Sequence, residues 1–183
     1  MTNPTLYLFG SAAPPVRDVA RVIEKAQADG WEVCLGLTPT AARWLRDSLD
    51  ALAVLTGHPV RWEYRMPGQP DVWPKADAIL VAPATFNTIN AWALGITDKW
   101  LVGVVAEGIG KRIPMAMVPC VNKAYVAHPQ FKRSIDILWE AGVRVLYGEG
   151  GFVPNEPGQG DPSIYPWRAA LDAVADVRDP ASN

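Results

Sequence analysis

Hydroxyl-bearing turns follow the first two apolar segments of the sequence. Gly10-Ser11-Ala12-Ala13 comes directly after residues 6–9, and Thr38-Pro39-Thr40 comes directly after residues 33–37. Small residues let the backbone approach an anion, and hydroxyl groups and the free amides of a helix start can donate hydrogen bonds to it. The turns therefore predict a phosphate site, although an ordinary strand–helix turn or helix cap would give the same pattern. The candidate residues are Gly10, Ser11, Ala12, Thr38 and Thr40.

These turns need neighbouring strands to bring them together. Short apolar, β-prone runs recur along the chain with helical patterns between them, at residues 6–9, 33–37, 60–64, 79–82, 114–118 and 143–147. Such alternation predicts an α/β fold with a mostly parallel, six-stranded sheet. The carboxyl ends of parallel strands meet at one edge of the sheet, where ligands bind in folds of this class. Both turns are expected at that edge.

The second half of the chain predicts two helices and a long loop. One helix is expected to begin after Pro129 and end at Gly142. Its predicted buried stripe consists of Phe131, Ile135, Leu138 and Trp139. Residues 148–166 are rich in glycine and proline, which predicts a lid-like surface loop. A closing helix over residues 167–177 would complete a single domain that spans residues 1–183.

Composition excludes several classes of function. A net charge of −2, with 17 scattered Lys and Arg residues, lacks the basic surplus of a nucleic-acid-binding protein. No apolar run approaches the roughly 20 residues that span a bilayer, and the amino terminus lacks the pattern of a signal peptide. We therefore expect a cytoplasmic protein with no membrane contact. Two distant cysteines, Cys34 and Cys120, give neither a disulfide framework nor a metal-ligand spacing, so no metal is expected.

Two further motifs resemble those of a known family. Pro83-Ala84-Thr85-Phe86-Asn87-Thr88 resembles the Pro-Ala-Ser-Ala-Asn-Thr motif of the homo-oligomeric flavin-containing cysteine decarboxylases, with Thr for Ser and Phe for the second Ala. Gly95 and Asp98 match the family's downstream Gly-x-x-Asp. Pro119-Cys120-Val121-Asn122-Lys123-Ala124-Tyr125 falls where the family carries Pro-x-Met-Asn-x-x-Met-Trp, and it keeps the Pro and the Asn. The resemblance runs from about residue 6 to residue 146.

The resemblance implies a Rossmann-like, flavodoxin-like three-layer domain that binds flavin. FMN is expected rather than FAD. The first two turns would hold the phosphate, and residues 83–87 would border the isoalloxazine ring. The implied cofactor-binding residues are Gly10, Ser11, Ala12, Thr38, Thr40, Pro83, Ala84, Thr85, Phe86, Asn87 and Asp98. The implied assembly is a homo-oligomer, either a trimer or a trimer-based dodecamer, with the flavin at a subunit contact.

The resemblance also implies a reaction on a small-molecule or peptide substrate. Members of the family decarboxylate cysteine oxidatively, and the flavin carries the electron chemistry. Asn87 and Asn122 are the implied catalytic residues, because an Asn amide can donate to a substrate carboxylate without titrating. The alternative is that both are loop asparagines that bond the local backbone. The implied substrate-contacting residues are Cys120, Val121, Asn122 and Tyr125.

One departure concerns the histidine that the family's decarboxylases carry before the Pro-Ala-Ser-Ala-Asn-Thr motif. An ungapped count places Gln69 at that position, and Gln cannot exchange a proton near neutral pH. His58 and His128 are the only histidines, and both are interpreted as surface or helix-start residues. Cys120 has two interpretations, a reactive thiol facing the flavin and a small buried side chain, of which the second is favoured.

Three functions are consistent with these features. The first is an FMN enzyme that carries out oxidative decarboxylation, or a related oxidation, of a small carboxylic acid or a peptide C-terminal cysteine. The second is a flavin-binding protein without decarboxylase activity, which stores, delivers or modifies the cofactor, for example by prenylation. The third is a protein that keeps the fold but binds another phosphorylated ligand.

Overall fold

A computed structural model describes residues 3–178 of the chain. The strands are β1 (Thr5–Gly10), β2 (Glu32–Leu37), β3 (Ala78–Ala84), β4 (Met115–Pro119) and β5 (Arg144–Val145). They form one parallel sheet in the order β2-β1-β3-β4-β5. All residues of the central strand β3 are buried, as expected for a strand that is covered on both faces. The predicted parallel α/β fold is confirmed.

The prediction of six strands is wrong, because residues 60–64 do not form a strand. Arg61 makes a single parallel bridge to Gly36 beside β2, through hydrogen bonds to Leu35 and Leu37. Val60 is the only buried residue of this segment, with 9% of its surface exposed. The Arg61 guanidinium lies over the ring of Trp100, 4.1 Å from its centroid, instead of extending the strand pattern. A strand needs a continuous buried face to stay in register, and this segment lacks one.

Helices connect and flank the strands. They are α1 (Val19–Ala28), α2 (Pro39–Trp44), α3 (Leu49–Thr56), α4 (Phe86–Leu94), α5 (Trp100–Gly110), α6 (Lys123–Val126), α7 (Pro129–Glu140) and α8 (Trp167–Arg178). Helices α1 and α3 pack against β2, α8 packs against β3 and β4, and α7 packs against α4 and β5. This is the architecture of a flavodoxin-like domain. None of the helices within residues 3–178 is long and apolar enough to cross a membrane.

Helix α7 begins at Pro129, as predicted, but its buried stripe differs from the prediction at one position. Phe131, Ile135 and Leu138 are buried, whereas Trp139 is 57% exposed. At about 100° per residue, Trp139 lies roughly 90° from the centre of the stripe. Ser134 takes the remaining buried position.

Residues 148–166 are irregular except for a short 3-10 turn at Pro162–Ile164 and one bridge between Tyr147 and Phe152. Phe152 and Tyr165 are buried and lie with their ring centroids 5.8 Å apart. Tyr165 also contacts Trp167 at the start of α8, with a centroid distance of 4.9 Å. The aromatic rings therefore hold both ends of this loop against the domain.

Candidate functional site

The turns that follow β1, β2, β3 and β4 meet at the carboxyl edge of the sheet, and loop 148–166 closes over them. Together they enclose a cavity of about 710 Å³, a size typical of small-molecule sites. The candidate residues that line it are Ala12, Thr38, Thr40, Thr85, Phe86, Asn87, Cys120, Val121, Asn122 and Tyr125. Gly10, Ser11, Pro83, Ala84 and Asp98 do not line it. The topology therefore brings together residues that are far apart in the sequence.

The first two turns are joined through Gly10. Its carbonyl accepts a hydrogen bond from Thr38 N at 2.9 Å. A Cβ atom on Gly10 would lie 2.8 Å from Val16 Cγ2 and 3.3 Å from Leu37 Cδ2. Gly10 thus lets the chain after β1 and the end of β2 approach each other, but it does not itself contact the cavity.

The second turn caps α2. The Thr38 hydroxyl accepts from Ala41 N at 3.3 Å, so the helix-cap interpretation holds for this side chain. The Thr40 hydroxyl accepts from the Arg43 guanidinium at 3.0 Å. Trp44, which follows Thr40 by one helical turn, also lines the cavity and is 46% exposed. Residues four apart lie on the same face of a helix, so the spacing from Thr40 could have identified Trp44 as a cavity residue.

Ser11 has a different position from the one that its place in the first turn suggests. It is fully buried. Its backbone amide donates to Pro83 O, and its hydroxyl donates to Thr88 Oγ1, both at 2.9 Å. Ser11 therefore supports the turn after β3 rather than facing the cavity.

The third turn places polar groups at the start of α4. Thr85 caps this helix, and Phe86 and Asn87 form its first turn. Asn87 is exposed, and its side-chain amide has no hydrogen-bond partner among residues 3–178. Asp98 lies outside the cavity and pairs at 3.0 Å with Lys99, which does line it.

The fourth turn follows β4 and presents Cys120, Val121 and Asn122. Asn122 Oδ1 accepts from Tyr125 N at 3.1 Å, which caps α6. Burial raises the pKa of the Cys120 thiol to about 11, so the thiol is protonated at neutral pH. Its backbone amide donates to Ala84 O at 2.8 Å, joining this turn to the end of β3.

An aromatic wall forms where the motifs depart from the family pattern. The Phe86 and Tyr125 rings are stacked, with centroids 4.7 Å apart and an interplanar angle of 26°. His128 contacts Phe86 edge-on at 5.5 Å. Tyr125 is 49% exposed, and both rings line the cavity.

Loop 148–166 also lines the cavity, although no candidate site residue was predicted within it. Lys123 anchors it twice, through Nζ to Glu156 Oε1 at 2.6 Å and through its backbone amide to Asn155 O at 2.9 Å. The Tyr165 hydroxyl donates to Val118 O at 2.7 Å. The loop residues that line the cavity are Phe152, Asn155, Glu156, Gly158, Gly160, Asp161, Pro162 and Tyr165. Only the high glycine and proline content indicated that this segment was special.

Gln69 and the two histidines all lie outside the cavity lining. Gln69 is in an exposed loop, where its Oε1 accepts from Met66 N at 3.1 Å. His58 pairs at 2.8 Å with Glu32, the first residue of β2, at the opposite edge of the sheet. His128 caps α7 and contacts Phe86 from outside the cavity lining. Within residues 3–178, no histidine lines the cavity.

Comparison with known proteins identifies the family. The family model described as Flavoprotein matches residues 3–178. The chain belongs to the Flavoprotein family. The resemblance read from the motifs is therefore confirmed.

Solved structures share the Flavoprotein fold at low sequence identity. The FMN-dependent cysteine decarboxylase TvaF from thioviridamide biosynthesis superposes with a TM-score of 0.71 and 22% identity, covering 96% of this chain and 98% of that chain. The FMN-binding protein AtHal3 superposes with a TM-score of 0.66 and 19% identity, covering 88% and 92% of the respective chains.

Two curated relatives match a part of the chain. A cysteine/cysteine sulfinic acid decarboxylase from an unknown prokaryotic organism is 31% identical over 86 residues, 47% of this chain. The coenzyme A biosynthesis bifunctional protein CoaBC of Thermococcus kodakarensis is 36% identical over 72 residues, 39% of this chain. The matches span only 21% and 18% of the two relatives' own lengths.

The cavity fits the phosphate and flat ring system that the Flavoprotein family implies. Near the first two turns, the amides of Ala12 and Thr40 have no partner among residues 3–178, so they can donate to an anion. The backbone amides of Phe86 and Asn87, in the first turn of α4, also have no hydrogen-bond partner among residues 3–178. Beside them, the Phe86 and Tyr125 rings and the small side chains of Cys120 and Val121 form an apolar part of the lining, which suits a planar ring.

Proposed function

We propose that this protein binds FMN in the carboxyl-edge cavity and carries out an oxidative decarboxylation, or a related flavin-dependent oxidation. The substrate would be a small carboxylic acid or a peptide with a C-terminal cysteine. The observation that carries the proposal is the convergence of four turns, including both family-like motifs, on one cavity. Membership of the Flavoprotein family supports the same conclusion.

The two ends of the cavity suit different parts of the cofactor. Ala12, Thr38 and Thr40 would hold the phosphate through backbone amides and hydroxyl groups, without needing a strongly basic side chain. The start of α4 would lie beside the ring. When bound, the flavin would accept the electrons that leave the substrate. These donors lie in two adjacent turns and suit the single phosphate of FMN.

The substrate would lie between the turn after β4 and loop 148–166. The side-chain amides of Asn87 and Asn122 can donate hydrogen bonds to a carboxylate, and Asn122 retains its Nδ2 hydrogens because its cap uses only Oδ1. Cys120, Val121 and Tyr125 would contact the substrate side chain. Oxidation of that side chain would precede loss of the carboxylate as carbon dioxide.

A second candidate function is flavin binding without decarboxylation. Gln69 occupies the position of the expected histidine and lies in an exposed loop, and no histidine within residues 3–178 lines the cavity. The protein would then store, deliver or modify the cofactor. Within one copy of the chain, the described residues therefore place no histidine where it could transfer a proton to or from a ligand in the cavity.

Assembly as a homo-oligomer, a trimer or a trimer-based dodecamer, belongs to the same proposal. Large apolar side chains that are exposed on a single copy support it, among them Trp44, Leu94, Ile96 and Trp139. Light scattering coupled to size-exclusion chromatography tests it, and a purely monomeric protein at micromolar concentration would contradict it.

The experiment that tests cofactor binding is purification followed by absorbance spectroscopy and mass spectrometry of the released ligand. A yellow protein containing FMN is expected. A colourless protein that takes up no added FMN would contradict the proposal.

The reaction is tested by incubating the FMN-loaded protein with a peptide that ends in cysteine and detecting by mass spectrometry a loss of about 46 Da, which corresponds to carbon dioxide plus the two hydrogens that pass to the flavin. Asn87→Ala and Asn122→Ala should retain FMN and lose turnover. Gln159→Ala, which removes an exposed amide outside the cavity lining, is the matched control. FMN binding with no turnover on any cysteine or carboxylic acid substrate would favour the second candidate.

A further inference from the structure

Asn155, in loop 148–166, holds an unpaired side-chain amide at the cavity. The residue is half-buried and lines the cavity, and its side-chain amide has no hydrogen-bond partner among residues 3–178. Gly160 leaves the space beside this amide open, since a Cβ atom there would lie 3.7 Å from Asn155 Nδ2. The amide of Asn155 is therefore available to a ligand as both a donor and an acceptor.

The backbone of Asn155 is fixed although its side chain is unpaired. Its carbonyl accepts a hydrogen bond from Lys123 N at 2.9 Å, and Lys123 Nζ pairs with the neighbouring Glu156 Oε1 at 2.6 Å. Lys123 directly follows Asn122, which lines the same cavity. The amide of Asn155 is thus held beside the turn that carries Asn122. A side chain on a fixed backbone loses less conformational freedom when a ligand binds.

The two asparagine side chains suit different groups of a substrate. Asn122 has only its Nδ2 hydrogens left, because Oδ1 caps α6, and these hydrogens suit a carboxylate, which only accepts. Asn155 keeps both its Nδ2 hydrogens and its Oδ1. A carboxylate would leave Oδ1 of Asn155 unpaired, and an ammonium group would leave its Nδ2 unpaired. An amide group, with one N–H and one C=O, can pair with both atoms.

The charge of loop 148–166 disfavours an anionic group at the same place. The loop contains Glu149, Glu156 and Asp161 but no lysine or arginine. Asp161 lines the cavity, and its Oδ1 accepts hydrogen bonds from Ser163 N at 2.9 Å and Ser163 Oγ at 2.6 Å, without a cationic partner among residues 3–178. The single lysine of the described lining, Lys99, lies at the start of α5 rather than in the loop. A phosphate beneath the loop would therefore meet a carboxylate and no cation of the loop.

We propose that Asn155 and Asp161 determine substrate specificity: Asn155 binds an amide group of the substrate, and Asp161 disfavours a negative charge beside it. The substrate is then a cysteine that carries an acyl group on its nitrogen and no phosphate, as in a peptide with a C-terminal cysteine. Free cysteine lacks the amide, and a phosphorylated thiol carries the disfavoured charge. This inference rests on the proposed function and names the substrate class of that site.

The first test compares kcat/KM of the FMN-loaded, full-length protein for the peptide acetyl-Ser-Ala-Cys and for free cysteine, measured by mass spectrometry. Wild-type protein should prefer the peptide at least about fivefold. Asn155→Ala should lower kcat/KM for the peptide about fivefold, mainly through KM, and leave the value for cysteine within a factor of about two. Asn155→Leu, which keeps a similar size without polar atoms, should behave in the same way. Gln159→Ala removes an exposed amide of the same loop outside the cavity lining and should change neither value.

The second test measures the charge preference with the same peptide and its phosphoserine form. Phosphorylation should lower kcat/KM, and Asp161→Asn should reduce that difference about two- to threefold, since an exposed charge contributes modestly. Salt at about 0.5 M should reduce the difference in the wild-type protein as well, because it screens exposed charges. Glu149→Gln is the matched control, since Glu149 is an exposed acid of the same loop outside the cavity lining. It should leave the difference unchanged.

The outcomes separate this inference from the proposed function. FMN affinity should be the same in all variants, because the two residues are assigned to the substrate. Equal turnover of cysteine and the peptide, or Asn155 variants that lower both values equally, would overturn the inference and leave the proposed function standing. An Asp161→Asn protein with an undiminished effect of phosphorylation would overturn the role of Asp161. Wild-type protein that binds no FMN, or that turns over no cysteine or carboxylic acid substrate, would overturn the proposed function and this inference together.

Discussion

Replacing Gly10 with alanine tests whether the close approach of the first two turns builds the site. The added Cβ would lie 2.8 Å from Val16 Cγ2 and 3.3 Å from Leu37 Cδ2. Both neighbours are fully buried, and valine has little rotamer freedom with which to move away. Overpacking of this kind costs about 1–3 kcal/mol. For a domain of this size, that corresponds to a fall in Tm of roughly 2–12 °C.

Differential scanning calorimetry of the apo-protein measures the stability effect, and FMN titration measures the effect on the site. We expect weaker FMN binding as well, because Gly10 O accepts the hydrogen bond that joins the second turn to the first. Gly110→Ala is the matched control, since a Cβ there meets nothing within 4 Å. That change should raise the free energy of unfolding by about 0.5 kcal/mol, because glycine destabilises a helix relative to alanine.

Removing the Val16 methyl group that the new Cβ would meet tests whether this contact causes the loss of stability. In a Val16→Ala background, Gly10→Ala should lower Tm by less than half as much as in the wild-type background, because the contact to Cγ2 no longer exists. Two outcomes would refute the reasoning: Gly10→Ala melting within 1 °C of wild type, or an equal cost of Gly10→Ala in both backgrounds.

Three further predictions concern the turn after β4 and loop 148–166. Tyr165→Phe leaves the buried Val118 carbonyl without its donor, so the free energy of unfolding should fall by about 1–2 kcal/mol; denaturant titration checks this, and no change would contradict it. Burial raises the pKa of Cys120 to about 11, because it disfavours the thiolate. The rate of Cys120 alkylation, measured by mass spectrometry, should therefore rise about tenfold per pH unit between pH 7 and 10. A rate that levels off below pH 9 would contradict this prediction. Lys123→Ala breaks the exposed ion pair with Glu156 and should lower the free energy of unfolding by at most about 1 kcal/mol. It should nevertheless speed proteolytic cleavage within loop 148–166. An unchanged cleavage rate would contradict this prediction and show that the aromatic contacts alone hold the loop in place.

Local patterns in the sequence predicted the strands and turns that depend on neighbouring residues. The run at the centre of β3 is apolar at every position, and burial on both faces accounts for that pattern. Thr38 was recognisable as a turn residue because it precedes a helix start, where a hydroxyl can cap a free amide. Thr85 was identified through the motif alone, and the structure shows that it also caps a helix. The two motifs that resemble the family also lie within short, contiguous segments.

Predictions that depended on distant partners were less complete. Residues 60–64 have β-prone side chains, but a strand at the edge also needs a covering face, which no local pattern specifies. Trp139 fits a helical stripe by spacing, yet the neighbour α4 covers only part of the α7 surface. The hydrogen bond from Ser11 Oγ to Thr88 Oγ1 joins residues 77 positions apart in the sequence.

The sequence by itself determined the fold class, the order of most strands along the chain and the residue types at the carboxyl edge. These follow from hydrophobic periodicity, turn chemistry and two short motifs, all of which act over a few residues. The tertiary structure decided which of those residues face the ligand space. Ser11 points into the interior because Thr88 lies within hydrogen-bonding distance, and loop 148–166 lines the cavity because Lys123 and buried aromatic rings hold it there. Such contacts depend on the packing of distant segments, so only the folded chain specifies them.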